Sequence, residues 1–300
     1  MSKATRIKQQ NAREKIAAQR AAARRSEIRK RALIVTGSVV AVLAIVVAFV
    51  LIKANNNPSS SSASGSGGVT GTELSATAQK KVTSVPASTL DQVGIGSVLS
   101  YQPTPIQAIS DKPLTSNGKP EMLYIGAEYC PYCAAMRWSM AVALSRFGTF
   151  TTPLHGIHSS STDVNPNTPT LTFYKSSYSS PYLTFTPVEN ETVTKAPLQQ
   201  TTAEQQALWV KYDSTAQGVG YPFIDFGNKY VIKLPIYDPG VLAGMTWAQV
   251  AAALHNPNSP VAQGALGAAN LMTAAICKMT NGQPGSVCTS AGVVSASAHL

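Results

Sequence analysis

Two cysteines set two residues apart, Cys130-Pro131-Tyr132-Cys133, are the residues whose type and spacing most clearly offer chemistry. Disulfide exchange runs through attack by a thiolate, so it needs one cysteine with a lowered pKa and some exposure. The apolar-periodic run AAMRWSMAVALSRF that follows reads as a helix stopped by Gly148, and Glu121–Gly126 reads as the strand before it. Cys130 then sits at a helix start, where unpaired N–H groups and the positive end of the helix dipole favour a thiolate. Pro131 suits the first helical turn. Cys133 falls one turn on, near enough to resolve a mixed disulfide and more buried. Cys130 is therefore assigned as nucleophile and Cys133 as resolving thiol.

Other uses of the pair are weaker. A zinc site needs four ligands, and the remaining cysteines, Cys277 and Cys288, lie far along the chain at a spacing of eleven. His155 and His158 fall on a probable strand, where an HxxH spacing sends the side chains to opposite faces. No metal and no organic cofactor is expected. A purely structural Cys130–Cys133 bridge is the surviving alternative. Cys277 and Cys288 flank a segment that turns readily at Gly282, Pro284 and Gly285, so a structural disulfide closing that loop is the first reading. A second redox pair relaying electrons to Cys130/Cys133 is the other.

The elements that must position these residues can be traced from the N-terminal side. Thr77–Pro86 and Ser88–Gly94 suggest short helices, and Val98–Tyr101 and Pro105–Ile109 short strands. Beyond the cysteine helix, Thr151–Ser159 is expected to be the second strand, with Leu171–Tyr174 and Tyr182–Thr186 as further candidates. Thr201–Tyr212 reads as a helix capped by Thr201 or Thr202. Pro222–Phe226, a Gly227-Asn228 turn and Lys229–Leu234 form a hairpin, and Thr246–Leu254 and Val261–Cys277 close the domain as helices. Trp138, Trp209 and Trp247 read as packing residues.

This order resembles the thioredoxin superfamily. Ala127-Glu128-Tyr129-Cys130 is similar to the Ala-Glu-Trp-Cys lead-in of thioredoxins, and Cys130-Pro131-Tyr132-Cys133 has the dipeptide typical of glutaredoxins. The Cys-Pro-Tyr-Cys-Ala-Ala run, the Arg137-Trp138 pair and the segment Tyr221-Pro222-Phe223-Ile224-Asp225 also resemble an uncharacterised membrane-anchored thioredoxin-like family, over roughly residues 100–290. The resemblance implies a cis-proline opposite the CxxC, preceded by backbone that pairs with the substrate. Thr168-Pro169-Thr170 has the more familiar tripeptide and the usual distance, but too few residues precede it for the helix such a fold requires. Tyr221-Pro222 has a helix before it and a hairpin after it, and is the choice for substrate binding. That choice implies an α/β thioredoxin-like fold with an insertion of about fifty residues, at about 160–210. The buried acid of thioredoxins has no counterpart, its position being Tyr124. Glu128 is expected at the rim. Arg137, one turn beyond Cys133, reads first as a solvated helix residue, with support of a thiolate as the alternative.

The net charge of +10 belongs almost entirely to a tail. Residues 1–31 carry eleven Lys/Arg against Glu14 and Glu27, leaving thirteen basic and twelve acidic residues for the rest. Nucleic-acid binding by the body has no support. Residues 32–52 contain no charged side chain, and about 20 apolar residues suffice to span a bilayer core. A cleavable signal peptide would have an apolar region of about 7–15 residues and a small-residue cleavage site, which Ile52-Lys53-Ala54 does not supply. The run is read as an uncleaved transmembrane anchor. The positive-inside rule keeps residues 1–31 cytoplasmic and places the rest outside. Residues 53–71 are a Ser/Gly-rich linker, 72–120 an N-terminal extension, and 121–290 the thioredoxin-like domain.

Together these features imply a membrane-anchored, extracytoplasmic thiol–disulfide oxidoreductase that forms or isomerises disulfides in exported proteins. Its partners would be exported protein thiols and a membrane redox protein that resets the pair. The alternatives are an extracytoplasmic reductase and a non-catalytic binding module with a static disulfide.

Overall fold

A computed structural model describes the chain from Thr70 to Leu300; the basic tail, the proposed anchor and the linker up to residue 69 lie outside the described residues. A two-residue strand, Thr72–Glu73 (β1), is followed by three short helices, Ala76–Thr83 (α1), Ala87–Val93 (α2) and Val98–Tyr101 (α3). Gln107–Ala108 (β2) and Thr115–Ser116 (β3) lead into the long strand Lys119–Gly126 (β4) and the helix Pro131–Ser145 (α4). Then come Thr149–Phe150 (β5), His155–His158 (β6), Pro169–Thr172 (β7), Tyr178–Ser179 (β8) and Thr184–Glu189 (β9). The helix Ala203–Asp213 (α5) precedes a hairpin, Phe223–Phe226 (β10) with Tyr230–Ile232 (β11). Trp247–Ala253 (α6), Pro260–Met279 (α7), Gly285–Cys288 (α8) and Ala291–Ser297 (α9) complete the chain.

The fold is mixed α/β. Its main sheet is built around β4, which pairs in parallel with β9 on one side and antiparallel with β10 on the other. β11 and then β2 extend the sheet beyond β10, and β3 folds back on the start of β4. Side chains alternate along β4, so successive residues feed two cores. Met122 and Tyr124 face the larger one, packed with α4 and α7, while Leu123 and Ile125 join Trp209 of α5 in the smaller. A strand covered on both faces explains why Glu121–Gly126 reads as a continuous apolar run rather than an alternating one.

Helix starts follow local chemistry. The Thr202 hydroxyl accepts from the Gln205 N–H while the Gln205 side chain accepts from the Thr202 N–H, and Thr246 and Gln249 repeat this reciprocal cap on α6. The β10–β11 turn places Gly227 and Asn228 at φ 68° and 58°, a region these two residue types tolerate.

Three expectations are corrected. Val98–Tyr101 is helical rather than a strand. The strand parallel to β4 is Thr184–Glu189, not Thr151–Ser159; β6, within that expected stretch, instead pairs with β1 and β7 in a separate three-stranded sheet. The extra segment therefore spans about 149–183, β5 to β8, rather than about 160–210, and α5 follows the second parallel strand directly. The register decides this, because β9 pairs with β4 along its whole length from Glu121 opposite Thr184 to Gly126 opposite Glu189.

Candidate functional site

The carboxyl end of β4 delivers the chain to the cysteines. Cys130 is the N-cap of α4, with Pro131 at the first helical position, and its sulfur accepts from the Cys133 N–H at 3.3 Å. On the far side, Cys130 Sγ lies 3.9 Å from the Tyr221 carbonyl oxygen, and the Tyr221–Pro222 peptide is cis. Cys130, Cys133, Tyr221 and Pro222 thus meet at one end of the sheet. Thr168–Pro169 is not cis; Pro169 belongs to β7, and its carbonyl accepts from Trp138 Nε1 at 2.9 Å.

The two cysteines, both free thiols, differ as a nucleophile and a resolving thiol should. Cys130 is held below the ordinary thiol pKa, first by the hydrogen bond from the Cys133 side chain and then, against burial, by backbone N–H groups and the Arg137 charge. Burial pushes the Cys133 thiol well up. Only 5 % of Cys130 is exposed, because Tyr129, Tyr132 and Tyr221 pack around it. Those rings are partly exposed and form the rim of the site. Tyr129 and Tyr221 meet edge to face at 6.2 Å, and Lys195 Nζ lies 4.7 Å over the Tyr129 ring. Asn190 Nδ2 donates to the Tyr221 hydroxyl, which in turn donates to Glu191.

Residues 105–278, more than half of the chain, match the family model described as Domain of unknown function (DUF929). The chain belongs to the DUF929 family. No curated protein and no solved structure matches it. The DUF929 region contains Cys130, Cys133, Tyr221 and Pro222, and it stops short of Cys288.

Two charged residues sit where the sequence reading did not put them. Arg137 is fully buried rather than solvated: its Nε and Nη2 hold the two oxygens of Glu189 at 2.8 and 2.6 Å, and Nη2 also donates to the Ala127 carbonyl. Glu128 is 1 % exposed rather than on the rim, and its Oε1 accepts from the hydroxyls of Thr172 and Thr70. Glu128 also lines an open cavity of about 550 Å³ with Gly156–Ser159, Thr192–Thr194 and Trp247. The extra strands of this DUF929 chain brace the cysteine segment: Ser160 N–H donates to the Tyr129 carbonyl, and the Thr170 hydroxyl to that of Ala134. The sequence reading gives Glu189, Asn190, Glu191 and Lys195 no role at this site, and no local pattern marks them, because each meets the site through pairing over distance.

Cys277 and Cys288 form a disulfide with Cα atoms 5.6 Å apart. It lies near the β10–β11 turn, where Met279 packs against Gly227 and Lys229 Nζ donates to the Lys278 carbonyl. Pro222 precedes the other end of β10, so the length of that strand separates the bridge from Cys130. That placement suits a structural tie and gives no direct relay. No group of three or more metal-ligating side chains occurs among the described residues.

Asp225, on β10, is buried with Oδ1 accepting from the Asn228 N–H and Oδ2 unpartnered. Burial, reinforced by the Glu121 and Asp111 charges and opposed by that N–H, raises its pKa from 3.8 to about 7. A folded protein that holds a proton more tightly than the unfolded chain loses stability as pH rises from about 4 to 7. Asp225→Asn keeps the Oδ1 acceptor and abolishes the titration. It is expected to stabilise the protein at pH 8 by about 2–4 kcal/mol, with the gain gone below about pH 4. Urea melts of both proteins at the two pH values check this, and an equal effect at both would refute it.

Proposed function

We propose that this protein is a thioredoxin-like thiol–disulfide oxidoreductase, anchored through residues 32–52 on the outer face of a membrane, where it forms or isomerises disulfides in exported proteins. The observation that carries the reading is the meeting of Cys130 Sγ, at the start of α4, with the Tyr221 carbonyl next to cis-Pro222. The strand order β9-β4-β10-β11, with β9 parallel to β4 and helices on both faces, supports a thioredoxin-like core. A substrate strand laid beside Tyr221 would present its sulfur to Cys130. In the oxidising direction a substrate dithiol gives two electrons and two protons to the Cys130–Cys133 disulfide, which becomes the dithiol, and leaves as a disulfide. A quinone-linked oxidase in the membrane then takes up the two electrons and two protons and restores the disulfide, whereas in the isomerising direction a thiol-transporting reductase keeps the pair reduced.

Titrating the full-length protein in detergent against glutathione tests the reading, with alkylation at Cys130 and Cys133 read by mass. A reduction potential of about −120 to −180 mV, lost in Cys130→Ser, is expected. A value near −270 mV would make it a reductase. The low exposure of Cys130 favours a second reading, a binding module with a static bridge. A pair still oxidised below about −300 mV would establish that reading and refute the first.

A further inference from the structure

Beneath Cys133 the interior holds polar groups: Tyr124, Arg137 and Glu189 are all fully buried. The Tyr124 hydroxyl approaches the Cys133 side chain without completing a hydrogen bond to any group. The side chain runs along β4 over Gly126, where any Cβ would overlap the hydroxyl, and comes to lie beside Cys133. Arg137 stands one turn beyond Cys133, its guanidinium carbon 5.9 Å from the Tyr124 ring centroid. Glu189 and the Ala127 carbonyl occupy its Nε and Nη2, and Nη1 has no partner. Two buried donors are therefore unspent next to the resolving cysteine. Buried donors are normally paired, so each unpaired one asks for an acceptor that appears at another stage. A negative charge on Cys133 Sγ would be that acceptor.

We propose that Tyr124 and Arg137 stabilise the Cys133 thiolate as it leaves the Cys130–Cys133 disulfide, Tyr124 through a hydrogen bond and Arg137 through its charge. The inference rests on the thiol–disulfide reading above. A substrate thiolate attacks Cys130 Sγ; its new S–S bond forms as the Cys130–Cys133 bond breaks, and the electron pair of the broken bond stays on Cys133 Sγ. A second substrate thiolate then attacks the substrate sulfur of the mixed disulfide and expels Cys130 as a thiolate. Tyr124 keeps its proton throughout, since burial holds its pKa well above 10, and so acts as a donor rather than a base. A thiolate leaves faster the lower its pKa, and burial works against Cys133 in this respect. The two donors oppose that handicap.

The test follows the opening of the oxidised Cys130–Cys133 pair by dithiothreitol in the full-length protein, from pH 6 to 9, with Cys277–Cys288 resolved separately by peptide mass. Tyr124→Phe removes a hydroxyl without a partner, so its urea midpoint is expected to match or exceed the wild type. Its opening rate is expected to fall about tenfold, the size of one charge-assisted hydrogen bond. The double variant Arg137→Met/Glu189→Gln, which removes both charges together, is expected to open at least as slowly and with a weaker pH dependence. Wild-type rates in both variants would overturn the inference and leave the exchange reading standing. A wild-type pair that no dithiol opens would overturn both.

Discussion

Replacing Cys133 with serine is expected to leave the protein covalently attached to its substrates. Cys130 loses the hydrogen bond from the Cys133 thiol, which a serine hydroxyl can replace, and keeps its place at the cap of α4, the backbone N–H of residue 133 on its sulfur, and the Arg137 charge nearby. It would still attack a partner disulfide and form a mixed disulfide. Release then depends on a second thiol, and in the wild type that thiol is tethered three residues away, at an effective concentration of millimolar or above. Serine offers no sulfur. Adducts should therefore accumulate from barely detectable to the major species on non-reducing gels of membranes expressing Cys133→Ser, and collapse under dithiothreitol. Cys130→Ser, alone or combined with Cys133→Ser, should give none. Adducts that persist in Cys130→Ser would reverse the assignment of the two cysteines. Their absence from Cys133→Ser would leave no role for a transient mixed disulfide.

The parts of this site that could be read from the sequence are those set by local chemistry. A strand, a turn and a helix in succession place Cys130 at a helix start, and Pro131 reinforces that start. The position of Pro222 between a helix and a Gly-Asn hairpin likewise follows from neighbours in sequence. Pairing over distance has no such signal. Thr151–Ser159 and Thr184–Glu189 are both short, mixed segments that suit a strand, and only the observed register shows that the second lies beside β4. The error over Arg137 has a different origin. A helix on a protein surface keeps one polar face, and the sequence places the single arginine of α4 there. This helix instead lies between the sheet, α7 and the extra strand β7, so nearly every residue from Pro131 to Leu144 is buried and no wet face exists. The arginine is inside because Glu189 is inside, and the two belong to elements more than fifty residues apart. Glu128 is misread for a related reason: β6 and β7 cover it, and the sequence reading takes the first as the strand beside β4 and gives the second no position.

The buried pair also makes the largest stability prediction. Arg137 and Glu189 are both without solvent exposure, and their bidentate contact is the only ion pair among the described residues with both partners fully buried. Removing one partner strands the other charge in a low-dielectric interior, which costs about 3–5 kcal/mol. Arg137→Met and Glu189→Gln are each expected to destabilise the protein by that amount, seen as a shift of the urea midpoint at unchanged slope. Each also opens further gaps, since Arg137 Nη2 serves the Ala127 carbonyl and Glu189 Oε1 accepts from the Phe173 N–H as well as from Arg137. Combining the two substitutions removes both charges, and a packed neutral pair of similar volume is often no worse than the ion pair it replaces. The double variant should therefore be more stable than either single one, with a coupling of about 2 kcal/mol or more. If the single losses simply add, the two side chains are not acting as one unit. A double variant that regains stability while opening its disulfide slowly would separate what the pair does for the fold from what it does for Cys133. That outcome would tie the position of the charges to the chemistry of the sulfur above them, beyond their hydrogen bonds to the Ala127 carbonyl and the Phe173 N–H.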